Sequence, residues 1–521
     1  MRPAPVALAL AFAGFPALAA PPSAPAPARP NIVYILADDL GWKDVGFHGS
    51  DIRTPAIDTL AKQGARLEQL YAQPLCTPSR AALMTGRYPF RYGLQTLVIP
   101  SNGKYGLDTE EWILPQALKE AGYRTAIVGK WHLGHADRKY WPRQRGFDYQ
   151  YGPLLGEIDY FTHSAHGVRD WFRDNEPLKE EGYATQLIGR DAVKLIDGHD
   201  PKVPLFLYLT FTAPHAPYQA PQEYLDRYKE IADPSRRAYA AMVTAMDDEI
   251  GKVLAALERR GMRENTIVVF QSDNGGPRSA KFTGEIDMSK STIPADNGPY
   301  RDGKGSPYEG GTRVVAALSW PGHVKAGTVV DQPIHLVDML PTLASLAGAS
   351  TAKCKPLDGM NVWPVIAEGK PSPREEIVYG IEPFRATVRK GDWKLVWQTT
   401  LPSKVELFDL KNDPSESTNL ADKNPQKVDE LKRRAEELSR AAVEPLLFKE
   451  AFDVSWRGLF GSVALPGAFR PSWSLARQHT YWEGEGPNRS GPGQKREGGE
   501  RRRSASGALE QAEQVFAGAV I

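Results

Sequence analysis

The sequence predicts an α/β protein: a large, mostly parallel central sheet flanked by helices, followed by a smaller C-terminal domain with an antiparallel sheet and a helix. Three observations lead there. Short apolar, β-branched runs recur without polar alternation, as strands buried on both faces do. Stretches of helical pattern lie between them. The residues able to carry chemistry follow the runs directly, where open α/β sheets bind ligands.

The first run is Asn31–Leu36 (NIVYIL), bounded by Pro30 and by Asp38-Asp39. Thr125–Val128, Leu205–Phe211 and Thr266–Phe270 read as further strands. Helices are expected over Pro55–Gln63, Pro115–Glu120 and Tyr239–Leu257. The first strand ends in Asp38-Asp39, the second in Lys130-Trp131-His132, the third in His215 and the fourth in Asp273-Asn274. Any one of these is ordinary loop polarity. Carboxylates, a lysine and two histidines delivered by separate strands to one edge predict a site. An extended 130–132 segment would put Lys130 and His132 on one side and turn Trp131 into packing. His163, near Asp159-Tyr160, is a further candidate to face a ligand.

A smaller domain is expected from residue 371. Ala386–Trp397 and Glu406–Leu410 read as antiparallel strands, with Gly391-Asp392 as a turn. Asp413-Pro414 breaks the pattern, and Gln426–Ala442 is a charged amphipathic helix. The boundaries that follow are a signal peptide over 1–19, a Pro/Ala linker over 20–30, a main domain over 31–370, a C-terminal subdomain over 371–450 and a partly disordered tail over 451–521. The leader rests on Arg2, the apolar run Val6–Ala13 and the small-x-small site Ala17-Leu18-Ala19. It implies export, periplasmic or secreted. The tail is rich in Gly, Pro, Ser and Arg over 485–506.

Bulk properties narrow the class. Charged residues at 24% and hydrophobic residues at 41% fit a soluble globular chain. A net charge of +1 gives no overall case for nucleic acid, and no stretch is long enough to span a membrane. Cys76 and Cys354 are the only cysteines, too few for a disulfide framework.

Cys76 therefore needs its own explanation. Pro78 followed by helix formers puts a helix start just after it, where N–H groups and the helix dipole favour negative charge. A buried structural thiol and a thiolate nucleophile partnered by His132 or His215 are both open readings. A third fits more residues. Cys76-Thr77-Pro78-Ser79-Arg80 with Thr85-Gly86 carries the C-x-P-x-R…T-G pattern in full. It resembles the signature of the sulfatase family, type I and formylglycine-dependent. Asp38-Asp39-Leu40-Gly41, Gly129–Gly134, Ser272–Gly276, Lys304 ahead of Glu309-Gly310-Gly311, and Glu406–Leu410 with Asp413-Pro414 are similar to further blocks of that family. The stretches Gly46–Pro55, Gln73–Cys76, Arg145–Asp148 and Pro356–Gly359 most resemble its arylsulfatase B, or N-acetylgalactosamine-4-sulfatase, type. The likeness covers roughly 30–440 and departs at Ile99–Lys104, where the animal enzymes carry cysteines.

The resemblance implies an alkaline-phosphatase-like fold and hydrolysis of sulfate monoesters. Cys76 would be converted to formylglycine by a separate maturing enzyme, and its hydrate would attack sulfur. Asp38, Asp39, Asp273 and Asn274, with the modified Cys76, would hold one Ca2+; hard oxygen donors suit Ca2+ or, less well, Mg2+, and no His/Cys cluster has zinc spacing. Arg80 would hold nucleophile and carboxylates in place, Lys130 and Lys304 would neutralise sulfate, His215 would be the general acid and His132 the base. The substrate would be an aryl sulfate or a sulfated saccharide such as 4-sulfated N-acetylgalactosamine. A phosphomonoesterase or phosphodiesterase of the same superfamily, and a non-catalytic sulfated-glycan binder that keeps the thiol, are the competing readings.

Overall fold

A computed structural model of the chain describes residues 29–282, 289–400 and 402–460. The expected leader, most of the linker, and residues 461–521 of the expected tail lie outside the described residues.

The central sheet has ten strands. In spatial order they are Thr328–Val330, Ala65–Leu67, Ala316–Ser319, Thr266–Ser272, Asn31–Ala37, Leu205–Thr210, Arg124–Gly129, Tyr149–Gly152, Phe172–Arg173 and Glu176–Pro177. The five from Thr266–Ser272 to Tyr149–Gly152 run parallel, and antiparallel pairs flank them on both sides. This is the mostly parallel, helix-flanked sheet that the uniform apolar runs predict. Residues of one strand alternate between two cores. Val33 and Ile35 join one with the helices Ala184–Asp197 and Pro234–Arg259. Ile32, Tyr34 and Leu36 join the other with the helices Cys76–Thr85, Leu114–Glu120 and Met339–Ala347. Both faces of the strand are therefore dry, which selects β-branched and apolar residues at every position.

Register brings the strand ends level. Ala37 pairs with Ser272, Leu36 with Thr210, and Thr210 with Gly129. The residues just beyond, Asp38, Asp273 and Lys130, thus emerge side by side, tied by Asp273 N–H to the Ala37 carbonyl (3.0 Å) and Lys130 N–H to the Thr210 carbonyl (2.9 Å).

The smaller unit is a four-stranded antiparallel sheet in sequence order: Glu376–Glu382, Arg385–Lys390, Trp393–Gln398 and Lys404–Asp409. Gly391, at φ +58°, makes the tight turn between its middle strands. The helix Pro425–Arg440 lays Leu431, Ala435 and Leu438 on Val388, Leu395 and Trp397. The first of these strands escapes the sequence reading. A further helix, Leu446–Phe460, runs across the boundary expected at 450/451. Its approach is fixed by Val443 N–H to the Phe90 carbonyl and Leu446 N–H to the Gly93 carbonyl (2.9 Å each). Gln95 Nε2 donates to the Val443 carbonyl (2.9 Å), and Glu450 accepts from Lys104 N–H (3.1 Å). Among the described residues no helix is long and apolar enough to cross a membrane.

Candidate active site

Cys76 is the first residue of the helix Cys76–Thr85 and is almost completely buried. The helix begins there because Leu75 is extended (ψ 156°) and Pro78 already has helical φ, while Gly86 closes it in the left-handed region. The Cys76 thiol donates to Asp38 Oδ1 at 3.4 Å. Ligand atoms of Asp38, Asp39, Cys76 and His215 all lie within 4.8 Å of one another. Neither Cys76 nor Cys354 is in a disulfide.

Three cations enclose this group. Arg80, one turn along the helix, donates from Nε to Asp273 Oδ2 (3.0 Å) and from Nη1 to the Lys130 carbonyl (3.0 Å), and its Nη2 lies 3.6 Å from Asp38. Lys130 Nζ donates to Asp38 Oδ2. Lys304 Nζ donates to Asp39 Oδ2 (2.7 Å) and sits 3.0 Å from His215 Nε2. Asp38, Asp39 and Asp273 thus face Arg80, Lys130 and Lys304 in formal balance, all six buried. Burial alone would raise the Asp38 carboxyl, but Lys130, His215, Arg80 and Lys304 together pull it well down. Asp273 goes the other way, held up by burial and by Asp38. Burial pushes the Cys76 thiol well above its ordinary value, and Asp273 and Asp38 add to that. Such a thiol is a poor thiolate nucleophile.

Asn274 donates from Nδ2 to Asp39 Oδ1 (2.7 Å), and its Oδ1 is buried with no hydrogen-bond partner. An orphaned amide oxygen next to Asp39, whose own N–H meets Asp273 Oδ1 at 3.3 Å, suits a hard divalent cation. The donor set therefore fits Ca2+ or Mg2+. His215 adds little to it: its Nδ1 donates to the Ala216 carbonyl (2.6 Å) and its Nε2 faces Lys304. Burial, then Lys304, lower the His215 pKa. Asp39, at φ +67°, sits in the left-handed region that non-glycine residues avoid, as residues at functional sites often do.

His132 is placed differently from the extended expectation. The chain turns there, at φ +58°, so Lys130 and His132 do not simply share a side. Trp131 does enter packing, edge-on to Phe147 with Nε1 on the Tyr140 carbonyl. His132 Nε2 donates to the Ile99 carbonyl (3.1 Å), and Nδ1 is buried without a partner. Burial, then Lys130 and Arg80, keep the ring neutral. Its link to Cys76 is Thr77, whose hydroxyl donates to the His132 carbonyl (3.1 Å) and accepts from Ile99 N–H (3.2 Å). Thr77 belongs to the Cys76–Arg80 motif but nothing in the sequence marks this role for it, nor marks Gly156, whose backbone lies against the His132 ring. His163 faces no ligand: it is buried, stacked on Trp171 and bonded to the Gly182 carbonyl.

Comparison with known proteins adds the following. The family model described as Sulfatase matches residues 30–349, and that described as N-sulphoglucosamine sulphohydrolase, C-terminal, matches 303–441. The chain is 39% identical over 390 residues to arylsulfatase J of Mus musculus, covering 73% of this chain and 63% of that protein. It is 36% identical over 379 residues to N-acetylgalactosamine-6-sulfatase of Mus musculus, covering 68% and 70%. Among solved structures, Ps i-CgsB in complex with k-i-k-neocarrahexaose is similar with a TM-score of 0.72 and 35% identity, covering 80% of this chain and 94% of that one. The match spans less than two thirds of the length of arylsulfatase J.

Proposed function

This chain belongs to the sulfatase family, and from that premise we propose that it hydrolyses sulfate monoesters of a saccharide. The observation that carries the reading is the convergence at Cys76. A modifiable side chain at a helix start, hard oxygen donors and three cations share one buried site. Asp38, Asp39, Asp273 and Asn274 would hold Ca2+, with the modified Cys76 completing the set. When bound, the ion would supply Lewis-acid polarisation of sulfate and of the nucleophile. Conversion of Cys76 to formylglycine by a maturing enzyme would supply a hydrated aldehyde as nucleophile, at a position where Asp38 Oδ1 already accepts a hydrogen bond from the side chain.

The chain's own residues do the rest. Lys130 and Lys304, now paired to Asp38 and Asp39 beside the cation site, would bind the sulfate oxygens. Arg80 locks Asp273 and the Lys130 carbonyl, fixing the distance between nucleophile and anion site. Lys304 Nζ lies 3.0 Å from His215 Nε2, and through this contact His215 would pass a proton to the departing alcohol. His132 Nδ1, buried and unpartnered, would take a proton from the modified side chain as sulfate is released.

The sulfate position is less constrained. Several stretches resemble the 4-sulfatase type, while the 6-sulfatases among the relatives give the 6-position of N-acetylgalactosamine equal standing. A panel of sulfated saccharides separates them. A two-metal phosphatase is disfavoured, since among the described residues a single cluster of candidate ligands forms. We also infer a domain division near 370, with an exported, periplasmic or secreted, location. Mass spectrometry of the Cys76 peptide from the native host should find formylglycine, lighter than the thiol. Cys76→Ala should abolish sulfate release from an aryl sulfate. Active protein with an intact thiol would overturn the mechanism, and inactive protein with an intact thiol would favour the glycan binder.

A further inference from the structure

Behind the site lies a second buried cluster of charge that the chemistry above does not use. Lys394, in the middle of the small sheet, is completely buried, with Nζ 2.9 Å from Glu309 Oε1 and 2.9 Å from Glu416 Oε1. Glu309 opens the short helical turn Glu309–Thr312, and its Oε2 accepts from Tyr71 OH at 2.8 Å. Glu416 follows the Asp413-Pro414 turn, and its Oε2 accepts from the Glu309 backbone N–H at 2.6 Å. Arg389 Nη1 completes the shell by donating to Tyr71 OH at 2.7 Å. Buried ion pairs of this kind add little stability over apolar residues of the same volume. In some systems what they add is a fixed geometry.

The geometry fixed here is that of segment 303–311. Lys304 N–H donates to the Gly276 carbonyl (3.1 Å), and Gly275 N–H donates to the Gly311 carbonyl (3.0 Å). The backbones touch: a Cβ on Gly275 would lie 1.8 Å from the Gly310 oxygen. The segment is therefore pressed against the loop that carries Asp273 and Asn274. It also carries Lys304, whose Nζ meets Asp39 and His215. Any shift of the Glu309 turn passes directly to both.

We propose that Lys394 is a positioning residue: by joining Glu309 to Glu416 it lets the small sheet hold segment 303–311, and through it the cation-binding loop and Lys304. The inference rests on the reading of Asp273 and Asn274 as cation ligands. It is tested in the full chain with Lys394→Met, titrated with CaCl2 by calorimetry after metal removal. Melting temperature, and kcat and KM on an aryl sulfate at saturating calcium, are measured alongside. Calcium binding about 10–100-fold weaker and a fall in kcat larger than the change in KM are expected. Glu416→Gln, which keeps an acceptor for the Glu309 N–H, should shift the same quantities less, and it decides the matter if Lys394→Met does not fold. Wild-type calcium affinity and kcat in a variant that merely melts lower would overturn the proposal. A wild-type chain that binds no calcium would instead overturn the reading of the site, and this inference with it.

Discussion

Replacing Arg80 by Met removes one of three cations from a balanced, buried cluster. Arg80 makes the contacts of 3.0 and 2.9 Å with Asp273 and is completely buried. Methionine fills much of the same volume and offers no donor, so Asp273 keeps the Asp39 N–H at 3.3 Å. Removing one partner of a buried pair costs about 3–5 kcal/mol, chiefly the burial of the charge left behind. A divalent cation at the same carboxylates would restore that charge. Urea denaturation should therefore show the loss of about 3–5 kcal/mol in EDTA and a clearly smaller one in excess Ca2+. The same loss under both conditions would refute the view that these carboxylates bind the cation. A loss below about 1 kcal/mol in EDTA would refute the charge balance itself.

Two further outcomes are specific to the chemistry. His215→Gln should slow kcat about 10²-fold or more on a sugar sulfate, whose alkoxide needs a proton, and far less on 4-nitrophenyl sulfate, whose phenolate departs unaided; equal losses on the two would remove His215 from the acid's role. Gly156→Ala would place a Cβ 2.4 Å from His132 Cε1, forcing the ring aside. Turnover should fall by about 10²-fold with little change in melting temperature, and unchanged kcat would show that His132 takes no part.

Much of this architecture was legible in the sequence because burial on both faces leaves a mark on every residue of a strand. Asn31–Ala37 shows it, feeding two cores alternately. Asp38, Asp39 and Asp273 could be placed because they sit one or two residues beyond such strands. The strand Glu376–Glu382 was hidden by the register shift between Val378 and Gly380, which spoils its alternation. The long helix starts at Pro234, capped by Asp233, five residues before its apolar pattern becomes clear. The turn at His132 depends on the Ile99 carbonyl from a distant loop. The trio of Glu309, Lys394 and Glu416 joins positions 85 and 107 residues apart, so nothing local announces it, although two of its members lie in or beside recognisable blocks.

The strap formed by residues 443–450 sets an order of events in time. Gln95 meets Val443 across 348 residues, and Lys104 meets Glu450 across 346. The loop whose Ile99 carbonyl meets His132 is therefore held in its final place only once residues some 346 positions further along have joined the fold.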